Sequence, residues 1–307
     1  MKKISYFSYK GGSGRSSLLY NTIPYLVKEL KATPKNPIVL LDLDLDSAGI
    51  TFLLNKQGID TSTYSIQEAL STSVSSSLYT PALFEISRHP VLGRCIPVGK
   101  CFGLDNESNN SVLFIPAQTG QPINKESNSN YDAGGIIKER FKTIITFCEK
   151  YGCAAVVFDT PAGDQLTANW AIEYSNVIAT CMRITYQFRY GTVDFMKRML
   201  PRFCNKTFVF VPNAVPTEDI TIDCMKVSYE KIKKQIIDSF GELDANGNKL
   251  CLDIVGNGQD FFGVNEVKRF KIQEDILFKL PEDILSVDEK NAIVAYRRVA
   301  TCLAGEE

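Results

Sequence analysis

Residues 2–17 constrain this chain more than any other stretch. The run 2–9 (KKISYFSY) is rich in β-forming residues and leads directly into Lys10-Gly11-Gly12-Ser13-Gly14-Arg15-Ser16-Ser17, after which Leu19, Ile23, Leu26 and Leu30 recur at helical spacing. Strand, tight glycine-rich loop and helix are therefore expected in that order. Pro24, inside the helix, removes an amide donor and crowds the preceding turn, so a kink is expected there. The glycines let successive N–H groups turn inward as an anion nest, and the N-terminus of the following helix adds partial positive charge. The Arg15 fork can hold phosphate oxygens, and the Ser16 hydroxyl can ligate Mg2+. Tyr9 and Arg15 depart from the strict phosphate-loop pattern, which has glycine and lysine there. Taken alone, the residues also read as a glycine-rich turn with a solvated Lys and Arg.

Context favours the anion site. Residues 37–42 (PIVLLD) and 154–159 (AAVVFD) are short apolar runs that each end in an aspartate, as expected of strands buried on both faces of a parallel sheet. Ligands of open α/β sheets gather at such strand ends. Further strands are expected at Val177–Ile184, Thr207–Val211 and Ile276–Leu280, with helices near 136–149, 192–203, 225–240 and 288–303. Asn246-Gly247 suggests a hairpin before a small β element at Lys249–Val255. This alternation predicts an α/β fold, a doubly wound, mainly parallel sheet with helices on both faces, in a single domain over 1–307. Residues 60–135, rich in Ser, Thr and Asn, read as a loop-rich insert within it.

Composition excludes several classes. With 307 residues, 34 Lys+Arg against 35 Asp+Glu and 44% hydrophobic residues, disordered and collagen-like architectures do not fit. Nine cysteines, at 95, 101, 148, 153, 181, 204, 224, 251 and 302, form no CxxC pair, which implies reduced thiols, a cytoplasmic protein and no zinc site. The apolar stretch at the N-terminus is broken at once by Ser, Lys and Gly, and no window approaches a bilayer span, so no membrane association is expected. His89 is the single histidine, which opposes a His-based triad. Basic residues cluster at Arg183, Arg189, Lys197, Arg198 and Arg202, and at Lys226, Lys231, Lys233 and Lys234; such runs are usually solvated helix faces.

The run Lys10-Gly-Gly-Ser-Gly-Arg-Ser resembles the deviant phosphate loop of the ParA/MinD superfamily of P-loop ATPases, whose pattern is KGGxGK[ST]. It is most similar to a branch with arginine in the last basic position, which begins like FYSYKGGVGRS and continues to a motif like DWDLEAPGL. Here these read Tyr6-Phe-Ser-Tyr-Lys-Gly-Gly-Ser-Gly-Arg-Ser and Asp42-Leu-Asp-Leu-Asp-Ser-Ala-Gly-Ile, with Asp46 and Ala48 in place of the branch's Glu and Pro. Val157-Phe-Asp159-Thr-Pro-Ala-Gly163 resembles the Walker B strand and switch, Phe208-Val-Phe-Val-Pro-Asn213 the strand ending at the adenine, and Leu280-Pro281-Glu282-Asp283 the late segment beside the base.

The resemblance implies an ATPase that binds ATP with Mg2+. The amides of Gly11, Gly12, Ser13, Gly14, Arg15, Ser16 and Ser17 would cradle phosphates, Ser16 and Asp159 would hold the metal, and Asn213 and Pro281 would flank adenine. Lys10 would reach the partner's phosphates across an ATP-dependent homodimer, and Asp42 or Asp44 would orient the attacking water. Asp164 and Gln165 fall at the switch, while Asp46 reads more simply as a turn cap. Such ATPases act as dimerisation switches for a partner protein, some within prokaryotic defence systems. A hydrolysis-deficient scaffold and a DNA-partitioning ATPase with weak, salt-sensitive DNA binding are the alternative functions. The last helix carries Arg297-Arg298 but ends Ala-Gly-Glu-Glu, unlike MinD's membrane-binding tail.

Overall fold

The computed structural model describes residues 1–71, 90–121, 133–217, 246–252, 263–271 and 277–305, together with 227, 230–231, 233–235 and 237–238. His89, Cys224 and Lys226 lie outside the described residues. An eight-stranded sheet organises the chain in the order β3-β4-β2-β5-β1-β6-β7-β8. Its strands are β1 (Lys2–Phe7), β2 (Ile38–Asp42), β3 (Ile96–Pro97), β4 (Val112–Ile115), β5 (Ala155–Asp159), β6 (Val177–Met182), β7 (Thr207–Pro212) and β8 (Lys249–Cys251). All neighbours pair in parallel except β3 with β4.

The strands read as unbroken apolar runs because both faces of the sheet are covered. Alternate residues supply the two layers. Ile4, Leu40, Val157 and Ala179 pack under α1 (Arg15–Glu29), α2 (Gly49–Lys56) and the last helix. On the opposite face, Val39, Leu41, Val156 and Phe158 meet α3 (Ile66–Ser71), α4 (Ala133–Tyr151) and α5 (Leu166–Tyr174). Phe7, Ile178, Phe208 and Phe210 extend that second layer beneath α6 (Tyr186–Met199). The chain closes with α7 (Val287–Ala304), which lies against α1. Pro24 does not end α1, and the described residues between 227 and 238 are helical.

A capping box starts α7: Ser286 Oγ accepts from the Glu289 amide at 3.2 Å, and the Glu289 carboxylate accepts from the Ser286 amide at 2.8 Å. Glu289 also binds Arg269 Nε at 2.8 Å, which ties the 268–271 turn to the helix. Removing such a cap costs about 1 kcal/mol. Ser286→Ala is therefore expected to lower the unfolding free energy by that amount in urea titrations, and an unchanged midpoint would count against the box.

Two sequence expectations are corrected. The expected strand at Ile276–Leu280 is instead, over Leu277–Lys279, a 3-10 turn. Leu277 is fully buried, and its amide donates to Asn21 Oδ1 of α1 at 3.1 Å. The run satisfies its apolar character by docking on a helix, and a short apolar run cannot distinguish that from sheet pairing. Nor does Asn246-Gly247 form a hairpin, because β8 pairs in parallel with β7. The preceding described segment is helical, and a crossover through a helix delivers a parallel strand. Asn248 fastens the turn instead, accepting from the Lys206 amide and donating to the Phe203 carbonyl.

Within 60–135, residues 112–115 supply β4, an internal strand of the main sheet between β3 and β2. Cys95, Cys101, Cys148, Cys153 and Cys181 are buried free thiols. Burial pushes the Cys181 thiol up to about 12, so it remains protonated and inert. Among the described residues no cluster of His, Cys, Asp and Glu is arranged to hold a metal, and no helix is long and apolar enough to cross a membrane.

Candidate functional site

The glycine-rich loop sits at the carboxyl ends of β1, β5 and β2, where the strand order places the first strand among later ones. Gly14 ends the loop at φ 79° and opens α1 with no side-chain cap and no acidic residue in the first turn. The first N–H groups of α1 therefore have no built-in partner, which leaves a positive end turned toward the strand tips. A Cβ at Gly14 would also press on the Asn213 side-chain amide and oblige it to shift.

A hollow of about 320 Å3 lies over these groups, walled by residues 11–17, Ser8, Asp44, Asp46, Ser47, Gly49, Leu53, Ala162 and Gln165. Arg15 and Ser16 both engage acids on neighbouring strand ends. Arg15 Nε donates to Asp159 Oδ1 and Nη2 to Asp44 Oδ2, each at 2.7 Å, while Ser16 Oγ donates to Asp159 Oδ2 at 2.7 Å. The Arg15 side chain is 7% exposed, that of Asp44 5% and that of Asp159 0%. Such a buried pair is held by charge-assisted hydrogen bonds that offset part of its desolvation. Burial pushes the Asp159 carboxyl up, and Arg15 and Ser16 pull it back.

Asp42 and Asp44 play different parts. Asp42 stands beside Asp159 in the β2–β5 register and is fully buried. Its carboxylate accepts from the Asp44 amide at 3.0 Å and from Thr51 N and Oγ1 at 3.2 and 2.7 Å. Burial and the neighbouring Asp159 nevertheless drive its pKa well up. Asp42 is thus not in the wall of the hollow, whereas Asp44 is. Asp44 also holds the following turn, accepting from Ser47 N and Oγ at 3.0 Å. The capping role expected of Asp46 belongs to Asp44; Asp46 is exposed at the rim.

Other expected residues separate into near and far. Lys10 is exposed and outside the wall. Gln165 and Ala162 line the hollow, but Asp164 is turned to Asn169, whose Nδ2 lies 2.8 Å from its Oδ1. Asn213 Nδ2 donates to the carbonyls of Ser13 and Gly14 at 2.9 and 3.2 Å, so this amide group braces the loop from behind. A second hollow, about 210 Å3, adjoins the loop at Gly14 and Ser17 and is lined by Arg183, Asn213, Asn265, Phe270 and Tyr296 among others. Pro281 is exposed and not part of that lining. Ala214, the segment 265–270 and Tyr296 of α7 supply the wall instead.

Sequence reading missed Thr51, Ser47, Asn265, Phe270 and Tyr296. Thr51 and Ser47 follow the aspartates closely, and their hydroxyls are a signal available in hindsight. Asn265 carries no such signal; its Nδ2 is buried without a hydrogen-bond partner among the described residues. Part of the basic run is engaged locally, since Arg198 pairs with Asp194 on α6 at 3.4 Å. A larger hollow, about 510 Å3, lies elsewhere, between α1 and α7 around Tyr25, Phe102, Leu285 and Ile293. It has neither the loop amides nor the paired acids of the smaller one.

A parallel sheet of this order, with a glycine-rich loop between its first strand and first helix and an aspartate at the end of an adjacent strand, defines a P-loop nucleoside triphosphatase fold. No family model and no curated protein sequence matches the chain. Solved structures narrow the fold to that of the ParA/MinD ATPases. The chain is similar to apo McdA from Cyanothece at 14% identity and TM-score 0.57, covering 96% of this chain and 99% of that one. It is also similar to the MinC:MinD cell division complex of Aquifex aeolicus, at 15% and 0.56, covering 97% and 96%. MinD of Pyrococcus horikoshii, complexed with Mg-ADP, gives 13% and 0.55, covering 96% and 94%.

Proposed function

We propose that this chain is a nucleotide-binding ATPase that takes ATP with Mg2+ at the 10–17 loop and uses ATP-dependent homodimerisation to switch a partner protein. The observation that carries the reading is the convergence of an uncapped helix N-terminus with Arg15, Ser16, Asp44 and Asp159 around one hollow. Similarity to a MinD solved with Mg-ADP and to a MinD in complex with MinC supports a nucleotide and a protein partner of this kind.

In this reading the amides of Gly11 to Ser17 bind the phosphates, and the adjoining hollow with Phe270 and Tyr296 receives the base. Ser16 Oγ and Asp159 Oδ2 are hard oxygen donors set 2.7 Å apart at the strand ends, which suits Mg2+ with Asp159 acting through water. When bound, that ion would neutralise charge on the phosphate oxygens. Asp44, which lines the hollow, is a better candidate than Asp42 to orient the attacking water, because Asp42 is committed to Thr51. Lys10, exposed beside the loop, is free to reach a second copy.

Light scattering tests the switch. Monomer is expected with no nucleotide and with Mg-ADP, and dimer with Mg-ATPγS; Lys10→Ala should remain monomeric throughout. An unchanged mass in all three states, with binding shown separately, would defeat the switch. One observation favours a second reading, a nucleotide-binding scaffold with little hydrolysis: Arg15 is held on two sides by carboxylates, one of them the candidate water-orienting group. Phosphate release abolished by Asp44→Ala would reject the scaffold, while release restored only by Arg15→Lys would support it.

A further inference from the structure

Arg15 belongs to the wall of the phosphate hollow, yet two arms of its guanidinium are held by acids, Nη2 by Asp44 and Nε by Asp159. Among the described residues its third nitrogen, Nη1, meets only Ser8 Oγ, at 3.5 Å. The trio sets one cation against two acids beneath the hollow read as an anion site. Asp44 is the acid that links this trio to the turn leading into α2: it also accepts from Ser47 N and Oγ, and Phe52 of that helix is 56% exposed. Asp159, by contrast, is fixed in β5 and shared with Ser16.

We propose that Asp44 is a positioning residue that acts through Arg15, competing with polyphosphate for the guanidinium. An incoming polyphosphate that takes Nη2 leaves Asp44 Oδ2 to Ser47 Oγ, which lies 3.0 Å away, so that occupation of the loop is passed to the 44–49 turn and the same carboxylate is released toward the terminal phosphate. The bridge thereby lowers affinity for the polyanion and links its binding to α2. This rests on the reading of the 10–17 loop as a phosphate site. It departs from a purely supporting role in sign, because loss of a supporting residue would weaken binding, whereas loss of a competitor strengthens it.

The test titrates wild type, Asp44→Asn and Asp46→Asn with a fluorescent methylanthraniloyl-ATP in EDTA, so that no metal intervenes. Asp46 lines the same hollow without touching Arg15 and controls for general charge removal. Expected is an affinity at least about fivefold higher for Asp44→Asn, a change below about twofold for Asp46→Asn, and a lower melting temperature for ligand-free Asp44→Asn. Equal or weaker binding by Asp44→Asn, or an equal rise in both variants, overturns the proposal. If the fluorescent nucleotide binds none of the proteins, the ATP reading fails, and inorganic tripolyphosphate decides the present one by thermal shift. A larger stabilisation of Asp44→Asn than of wild type then sustains it, and an equal or absent one overturns it. Asp44→Ser, which keeps an acceptor for the 44–47 turn, replaces Asp44→Asn in every arm should the latter not fold.

Discussion

Replacing Arg15 by methionine is expected to destabilise the protein by about 3–5 kcal/mol at neutral pH, because it leaves two buried carboxylates without their cation. The pH dependence has a definite sign. Burial already raises the Asp159 pKa, and Arg15 is the first influence opposing that rise. Without Arg15 the folded protein holds this proton at pH values where the unfolded chain has lost it. The folded state then binds more protons than the unfolded one, so stability falls as pH rises above the unfolded carboxylate value of about 3.9. Urea titrations should therefore show a smaller penalty at pH 5 than at pH 7. Arg15→Lys should fall between, since one ammonium cannot satisfy two acids with the geometry of a fork. A penalty below about 1 kcal/mol at pH 7 would mean that the bridge does not hold the site together.

Gly14→Ala is the second large effect, and it should strike binding harder than stability. At φ 79° an alanine bears strain of about 1–2 kcal/mol, and its Cβ would meet the Asn213 amide that braces the loop. Asn213 must then give up the carbonyls of Ser13 and Gly14, and the first amides of α1 lose their aim. Affinity for the fluorescent ATP analogue in Mg2+ is expected to fall more than about tenfold, while the far-UV circular dichroism stays native, since the loop contributes little to the buried core. Full affinity in a folded Gly14→Ala protein would show that the loop geometry is not what holds the phosphates.

These two residues also mark how far the site was legible. The tight turn at Gly14 was legible in sequence, because a glycine between a β-forming run and a helical spacing has few other uses. Arg15 could be placed beside an anion site, but not between Asp44 and Asp159: the residues lie 29 and 144 positions apart and meet only because β2 and β5 are neighbours. The turn at 44–47 shows a finer limit. Asp42, Asp44 and Asp46 alternate with leucines, so parity alone allowed Asp46 to be the cap, and it is the chain's exit from β2 that gives the turn to Asp44.

Local chemistry determined the order of strand, loop and helix at the N-terminus, the aspartates ending β2 and β5, and the parallel α/β class, because periodicity, glycine freedom and apolar runs are properties of neighbouring residues. Tertiary structure alone decided what those neighbours meet. It turned Leu277–Lys279 from an expected strand into a turn against α1, brought β8 in parallel, drew Asn213 behind the loop and left Pro281 outside the adjoining hollow. Each depends on which of several apolar surfaces or hydrogen-bond partners comes within reach once the sheet has ordered its strands, and that competition is not encoded in any single stretch of sequence.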